Sequence, residues 1–207
     1  MLWHEFLVEK GIVRNLNFIE EDQRLMRLYA EGELDMQTYL DFSVEPISHL
    51  SIKEIIKLAD LCVEEKILPR VFTDASTLLE QLHQQQRSVL IISATVAFLV
   101  EAVAKRLGVK HALGINLVTN KNRLSSTILG TASYQQGKVT RLQQWCESHS
   151  TSFTTVHFYT DSINDLPLCE QADFAYLVNP CKKLAKKGKE NDWPILAWSR
   201  TLSETNS

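Results

Sequence analysis

The run "RSVLIISAT", residues 87–95, constrains this chain more than any other stretch. From Val89 to Ile92 it is continuously apolar, with no alternation that would leave one face to water. A strand of that kind is buried on both faces, and such strands belong to parallel sheets covered by helices.

The sequence after Pro69 keeps the same grammar. "TDASTLLEQLHQQQ" reads as a helix ahead of the strand, and "VAFLVEAVAKRLG" as a helix behind it, capped by Gly108. "INLVTNKNRLSSTILG" reads as a hairpin turning around Asn120–Asn122. "GKVTRLQQWCESH" has a helical period, "TTVHFYT" is the next strand, and "FAYLVNP" and "WPILAW" supply two more. Strands and helices alternating at this length predict a doubly wound parallel sheet, with Trp193 and Trp198 closing its last edge.

Residues 1–68 have a helical period throughout. "LNFIEEDQRLMRLYAEG" puts Phe18, Leu25, Leu28 and Tyr29 on one stripe before Gly32, a C-cap. Asp35 is placed to cap "DMQTYLDFSV", which Pro46 ends; Ser51 and Glu54 have capping-box spacing at the head of "SIKEIIKLADLCVEEKIL", which Pro69 closes. With a shorter first helix from Trp3 to Lys10, these segments predict a small bundle whose core takes Trp3, Phe6, Tyr39 and Phe42. The expected organisation is a helical cap module at 1–68, an α/β core at 69–200 and a disordered tail at 201–207.

At 207 residues and 44% hydrophobic, the chain can bury one core, or one core and a satellite. Its net charge of -3 provides no basic field for nucleic acid, and the cluster Lys182, Lys183, Lys186, Lys187, Lys189 reads as a solvated helix face. The four cysteines form no C-x-x-C and the six histidines no H-x-x-x-H pair. Free thiols in a reducing cytoplasm are the simplest account, and a zinc site is not expected. No apolar run approaches the roughly 18–20 residues that span a bilayer, and the N-terminus has no signal-peptide pattern, so a soluble cytoplasmic protein is expected.

Ligands of open parallel sheets bind beyond the carboxyl ends of the strands, and two strands here end in polar groups. "VLIISAT" delivers Ser93, and "VHFYTDSINDLPL" delivers Asp161, Asn164 and, on the first turn of a helix, Asp165. Two carboxylates so placed can converge on one hard cation such as Mg²⁺, which favours few carboxylates and several waters. Between the strands, "QQGKV" sets Lys138 at a helix start just after Gly137, where an ammonium can neutralise a phosphoryl group. Taken alone, Ser93 fits an ordinary strand-end cap and Lys138 a solvent-facing lysine. An apolar strand has no structural need for the two carboxylates and the asparagine at its exit.

Together, Ser93 after its strand, Gly137-Lys138 and Asp161-Ser-Ile-Asn-Asp165 resemble motifs two, three and four of the haloacid-dehalogenase superfamily, in order and spacing. The bundle, including "YAEGELDMQTYLDFSVEPI", resembles the cap of its phosphoserine-phosphatase-like branch, subfamily IB. The resemblance implies a Mg²⁺-dependent phosphomonoester hydrolase acting on a small phosphorylated metabolite. In that mechanism an aspartate attacks phosphorus and a second aspartate, two residues on, acts as general acid/base. It further implies that Ser93 hydrogen-bonds the phosphoryl group, Lys138 offsets its charge, Asn164 contacts substrate, Asp161 binds Mg²⁺ directly and Asp165 does so through water or by orienting Lys138.

The family's first motif, Asp-x-Asp-x-Thr at the end of its first strand, is not in this sequence: no two aspartates stand two apart. In relatives the motif lies just upstream of the cap, where this chain opens "MLWHEFLVEKGIV", so the resemblance implies a truncated or misplaced start. Asp74 in "RVFTDAS" follows an apolar run, but Pro69 ahead and the helical pattern behind make it a helix N-terminus residue rather than a nucleophile. The missing strand would lie between those ending at Ser93 and Asp161, which are expected either to pair with each other or to expose their edges. The chain alone is then expected to lack turnover; the alternative is a non-enzymatic pseudophosphatase that binds a ligand or partner, and a receiver-type phospho-acceptor is disfavoured by the cap. The branch usually has Ser-Gly-Gly at motif two and a cap arginine for the substrate carboxylate. Here Ser93-Ala94-Thr95 and an arginine-free "YLDFSVEPISHL" point away from phosphoserine.

Overall fold

A computed structural model of the chain describes residues 2–149 and 153–200. The expectation of a tail at 201–207 falls outside them. The N-terminal layer consists of α1 (Leu2–Glu9), α2 (Phe18–Glu31), α3 (Met36–Val44) and α4 (Ile52–Cys62). The local signals act as their chemistry dictates. Gly32 ends α2 in the left-handed conformation, and its N–H reaches Leu28 and Tyr29 carbonyls. Asp35 caps α3 by accepting the Thr38 N–H, and Ser51 and Glu54 form a complete capping box on α4. Beyond α4 the chain runs through a wide turn at Val63–Ile67 and a tight one at Leu68–Arg70, where Pro69 sits.

The α/β part follows as α5 (Thr73–Gln84), β1 (Leu90–Val96), α6 (Ala97–Arg106), β2 (His111–Ile115), the hairpin β3 (Leu117–Asn120) and β4 (Arg123–Ile128), and α7 (Gln136–Ser148). It ends with β5 (His157–Thr160), α8 (Leu166–Gln171), β6 (Phe174–Val178), α9 (Lys182–Glu190) and β7 (Ile195–Leu196). The hairpin turns at Lys121 and Asn122, both left-handed, as a two-residue turn matched to strand twist requires. Sequence periodicity does not reveal β2, which pairs in parallel with β1. Its Gly114 interrupts the pattern because a Cβ there would lie 2.6 Å from the Ala97 Cα, where α6 crosses the strand.

The strands are parallel as expected, but they form two separate sheets, β1-β2 and β5-β6-β7, beside the β3-β4 hairpin. Among the described residues β1 and β5 do not pair with each other. The expectation that β1 is buried on both faces is corrected: Leu90 to Thr95 are only half-buried, and burial is complete only at Val96. The neighbouring α5 has no buried residue, and a cavity of about 310 Å³ lies between it, Tyr159 of β5 and Leu196 of β7.

The larger apolar cluster fuses the bundle to the β1-β2 layer, packing Phe6, Leu7, Leu25 and Leu40 with Val96, Leu99 and Ile115. Each such fully buried side chain contributes about 1.5–3 kcal/mol. Trp3 and Phe6 are core, and Tyr39 and Phe42 pack against it. A smaller cluster of Val139, Phe158, Leu168, Ala175, Leu177 and Leu184 underlies the second sheet, with Ile92 and Trp193 packed on it. All four cysteines are free thiols. No helix among the described residues is long and apolar enough to cross a membrane.

Candidate active site

The β1-β2 pairing shifts register between Ile92 and Val96, so Ser93 stands at an irregularity that turns the strand toward α6. The Ser93 hydroxyl accepts the Thr95 N–H at 3.2 Å, the strand-end role, and keeps its own hydrogen to donate. The Ser93 carbonyl accepts from the Ser133 hydroxyl at 2.5 Å, which ties the end of β1 to the loop that leads into α7. In the first turn of α7 Gly137 is obligatory: a Cβ would lie 1.9 Å from the carbonyl oxygen of Ala132 in that loop. The close approach brings the first turn of α7 against β1 and sends Lys138 inward. Lys138 is 4% exposed, so its reading as a solvent-facing residue is overturned.

Its Nζ lies 2.6 Å from Asp165 Oδ1, with both side chains buried. Asp165 stands at the start of α8, and its other oxygen accepts from the Thr160 hydroxyl at 2.6 Å. Despite the short distance to Lys138, Oδ1 makes no well-directed hydrogen bond; we take the pair as a charge contact that leaves a lone pair free. Asp161 follows β5 directly. Burial raises its carboxyl above the ordinary range, opposed by its own backbone N–H; the Asp165 carboxylate adds to the rise and Lys138 counters it. The end of β5 and the starts of α7 and α8 thus meet at a buried lysine, and Ser133 ties the end of β1 to the loop beside them.

Asn164 also converges here, but both ends of its amide are engaged within the protein. Its Nδ2 donates to the Tyr29 carbonyl at 2.7 Å and to Ser162 Oγ at 3.3 Å, while its Oδ1 accepts from the Tyr134 hydroxyl at 3.2 Å and from Gln135 Nε2 at 3.4 Å. Sequence reasoning missed Tyr29, Thr160, Ser133, Tyr134 and Gln135. Thr160 was within reach, since strand alternation places it with Phe158 on the inward face. Tyr29 reads as part of the core stripe of α2, yet burial lifts its phenol to about 12, with the Asp165 carboxylate next in effect. Asp74 lies in the first turn of α5, where its carboxylate accepts the Ser199 N–H at 2.9 Å. Cys169, buried beneath the site with its thiol pushed up to about 12 chiefly by burial, is no nucleophile.

A buried cation beside two carboxylates, with a hydroxyl at the end of β1, can bind an anion and a hard cation together. A histidinol-phosphatase of Neisseria meningitidis serogroup C (strain 8013) is 32% identical over 199 residues, covering 94% of this chain and 89% of that protein. Two Mycobacterium tuberculosis matches are longer, and this chain spans 53% of their length. A solved structure of a protein of unknown function from Bordetella pertussis Tohama I superposes with a TM-score of 0.85 at 24% identity, over 95% of this chain and 90% of the other. A phosphoserine phosphatase, solved as a phospho-aspartyl intermediate analogue, superposes with a TM-score of 0.68 at 18% identity, over 99% and 89%. The model of the haloacid dehalogenase-like hydrolases matches residues 1–170, a span that holds Ser93, Lys138, Asp161 and Asp165, and the chain belongs to that family.

Proposed function

We propose that this chain carries the phosphate- and metal-binding machinery of a Mg²⁺-dependent hydrolase of a small phosphomonoester. The observation that carries the reading is the buried Lys138–Asp165 pair, set beside Asp161 and tied through Ser133 to Ser93. A structural pair has no need of strand ends. Ser93 donates to a phosphoryl oxygen and Lys138 offsets its charge. Asp161 and Asp165 hold Mg²⁺, and Asn164 positions the cap rather than touching substrate. The donor set fits the ion: Asp165 Oδ1 is buried and without a directed donor, and two carboxylates completed by water suit Mg²⁺. When bound, the cation neutralises phosphoryl charge.

The attacking carboxylate and the general acid/base two residues on are the parts these residues do not contain. The half-buried β1, the uncovered α5 and the cavity that α5 shares with Tyr159 and Leu196 support the reading that one more apolar strand, ending in an aspartate, belongs beside these surfaces. Without it we expect binding but no turnover. The non-enzymatic alternative rests on the same missing aspartate; that Lys138 and Asp165 both stand speaks for the hydrolase. For the substrate, the similarity to a histidinol-phosphatase over nearly its whole length favours histidinol phosphate. The test is titration of the 207-residue chain with inorganic phosphate, followed by ³¹P NMR with and without Mg²⁺. The reading expects Mg²⁺-dependent binding that Lys138→Met and Asp161→Asn abolish; binding indifferent to Mg²⁺ and to both substitutions would reject it.

A further inference from the structure

The seam between the cap and the α/β layers holds side chains for which phosphate and metal chemistry has no use. Tyr29, from the last turn of α2, and Tyr134, from the loop before α7, set their rings 5.9 Å apart, tilted by 31°. Gln135 has φ 47° and ψ −125°, a backbone region that a residue with a Cβ occupies only when its surroundings compel it. Its side chain supplies the compulsion: Nε2 donates to the Gly32 carbonyl at 3.2 Å, to the Tyr134 oxygen at 3.2 Å and to Asn164 Oδ1. This strained residue precedes Gly137-Lys138 by two positions, so one short loop serves both the phosphate side and the cap side.

The electrostatics of the seam are lopsided. The carboxyl end of α2 points its terminal carbonyls at the core: Tyr29 O meets Asn164, Glu31 O meets Lys183 Nζ at 3.0 Å and Gly32 O meets Gln135. That end carries the negative pole of the helix. The lysines placed here, Lys138 and Lys183, are both engaged, by Asp165 and by the Glu31 carbonyl. In the cap, Arg24 pairs with Glu21 at the surface, and Arg14 and Arg27 are exposed. Two tyrosine rings beside the negative pole of a helix favour a flat cation or an N–H donor over a carboxylate.

We propose that Tyr29, Tyr134 and Gln135 read the leaving group of the substrate, selecting a phosphomonoester that bears an imidazole or ammonium and no carboxylate. This rests on the phosphatase reading above. Tyr134 is the specificity-determining ring and Gln135 fixes its place.

The experiment is an NMR titration of the 207-residue chain in Mg²⁺ with three probes: inorganic phosphate, histidinol phosphate and phosphoserine. The proposal expects histidinol phosphate to bind about tenfold more tightly than phosphoserine, the span of a cation–aromatic contact. Saturating the protein's aromatic protons should transfer to the imidazole protons of the ligand. Tyr134→Leu should bring the ratio to within about twofold, and Tyr134→Phe should keep most of it. A wild-type ratio near one, or a folded Tyr134→Leu protein with the ratio intact, overturns this proposal while phosphate binding stands. Should the wild-type chain bind neither phosphate nor either ester, the phosphatase reading fails and the proposal with it. The wild-type ratio and the transfer need no variant, so a Tyr134→Leu protein that fails to fold does not shield the proposal.

Discussion

His4 and Asp22 in the helical cap stand 2.7 Å apart, each side chain 1% exposed. Lys138 and Asp165 at the strand ends stand 2.6 Å apart at 6% and 7%. By burial and separation the two pairs are nearly the same, and each leaves one atom without a hydrogen bond, His4 Nε2 and Asp165 Oδ1. Their surroundings differ. The His4 ring is enclosed by Phe18, Tyr39 and Phe42, with the first and last meeting it edge-on at 5.3 Å. Aromatic walls give Nε2 nothing to bind and admit no ion. Asp165 Oδ1 instead faces a buried ammonium, and a second carboxylate, Asp161, adjoins the pair at the strand end. Burial of charge marks a cost that a protein must offset; the chemistry of the neighbours, aromatic rings or a second carboxylate, tells whether the offset is packing or function.

Breaking the site pair gives the largest expected effect. Asp165→Leu strands the Lys138 ammonium and should cost about 3–5 kcal/mol in urea denaturation, a large share of a typical total of about 5–15. Adding Lys138→Met should recover much of that stability while phosphate binding stays lost. The cap pair sharpens the contrast. His4→Phe and Asp22→Leu should each destabilise, and the double variant should be better than their sum by about 1–3 kcal/mol in a double-mutant cycle. Phosphate affinity should not change, since neither residue touches the site. Phosphate binding lost in the cap double variant would erase the distinction between the pairs.

An exposed acid supplies the baseline. Glu54 accepts from the Ser51 hydroxyl and N–H at 2.6 and 2.8 Å, and the hydroxyl bond first, then the backbone bond, hold its carboxyl below the ordinary 4.5. Because the folded value is depressed, its contribution is fully present above pH 4.5 and is lost as pH falls through the folded value. Ser51→Ala should cost about 1 kcal/mol at neutral pH and flatten that acid-side slope in a series of melting curves.

The two pairs also differ in how far the sequence announces them. Asp161 and Asp165 are visible because carboxylates at the exit of an apolar strand have no packing role, and Lys138 because it follows a glycine at a helix start. His4 is silent: it sits in a short helix, and its partner lies eighteen residues on, so only tertiary packing joins them. Helix ends were legible at Gly32, Asp35 and Ser51, where capping is local chemistry. β2 was not, because Gly114 answers to α6 rather than to its own strand. The cap side of the site escaped for a similar reason. Tyr29 obeys the core period of α2, and only the folded chain shows its ring against Tyr134.

The central proposal is that this site lacks the Asp-x-Asp pair, the aspartate that attacks and the general acid/base two residues on. Its most direct measurement is p-nitrophenyl phosphate hydrolysis in Mg²⁺ by the 207-residue chain, compared with the same chain carrying, ahead of Met1, an apolar strand that ends in Asp-x-Asp. No turnover is expected from the first and Mg²⁺-dependent turnover from the second, abolished by changing the first added aspartate to asparagine. Turnover by the 207 residues alone, with the extension adding nothing, would contradict it.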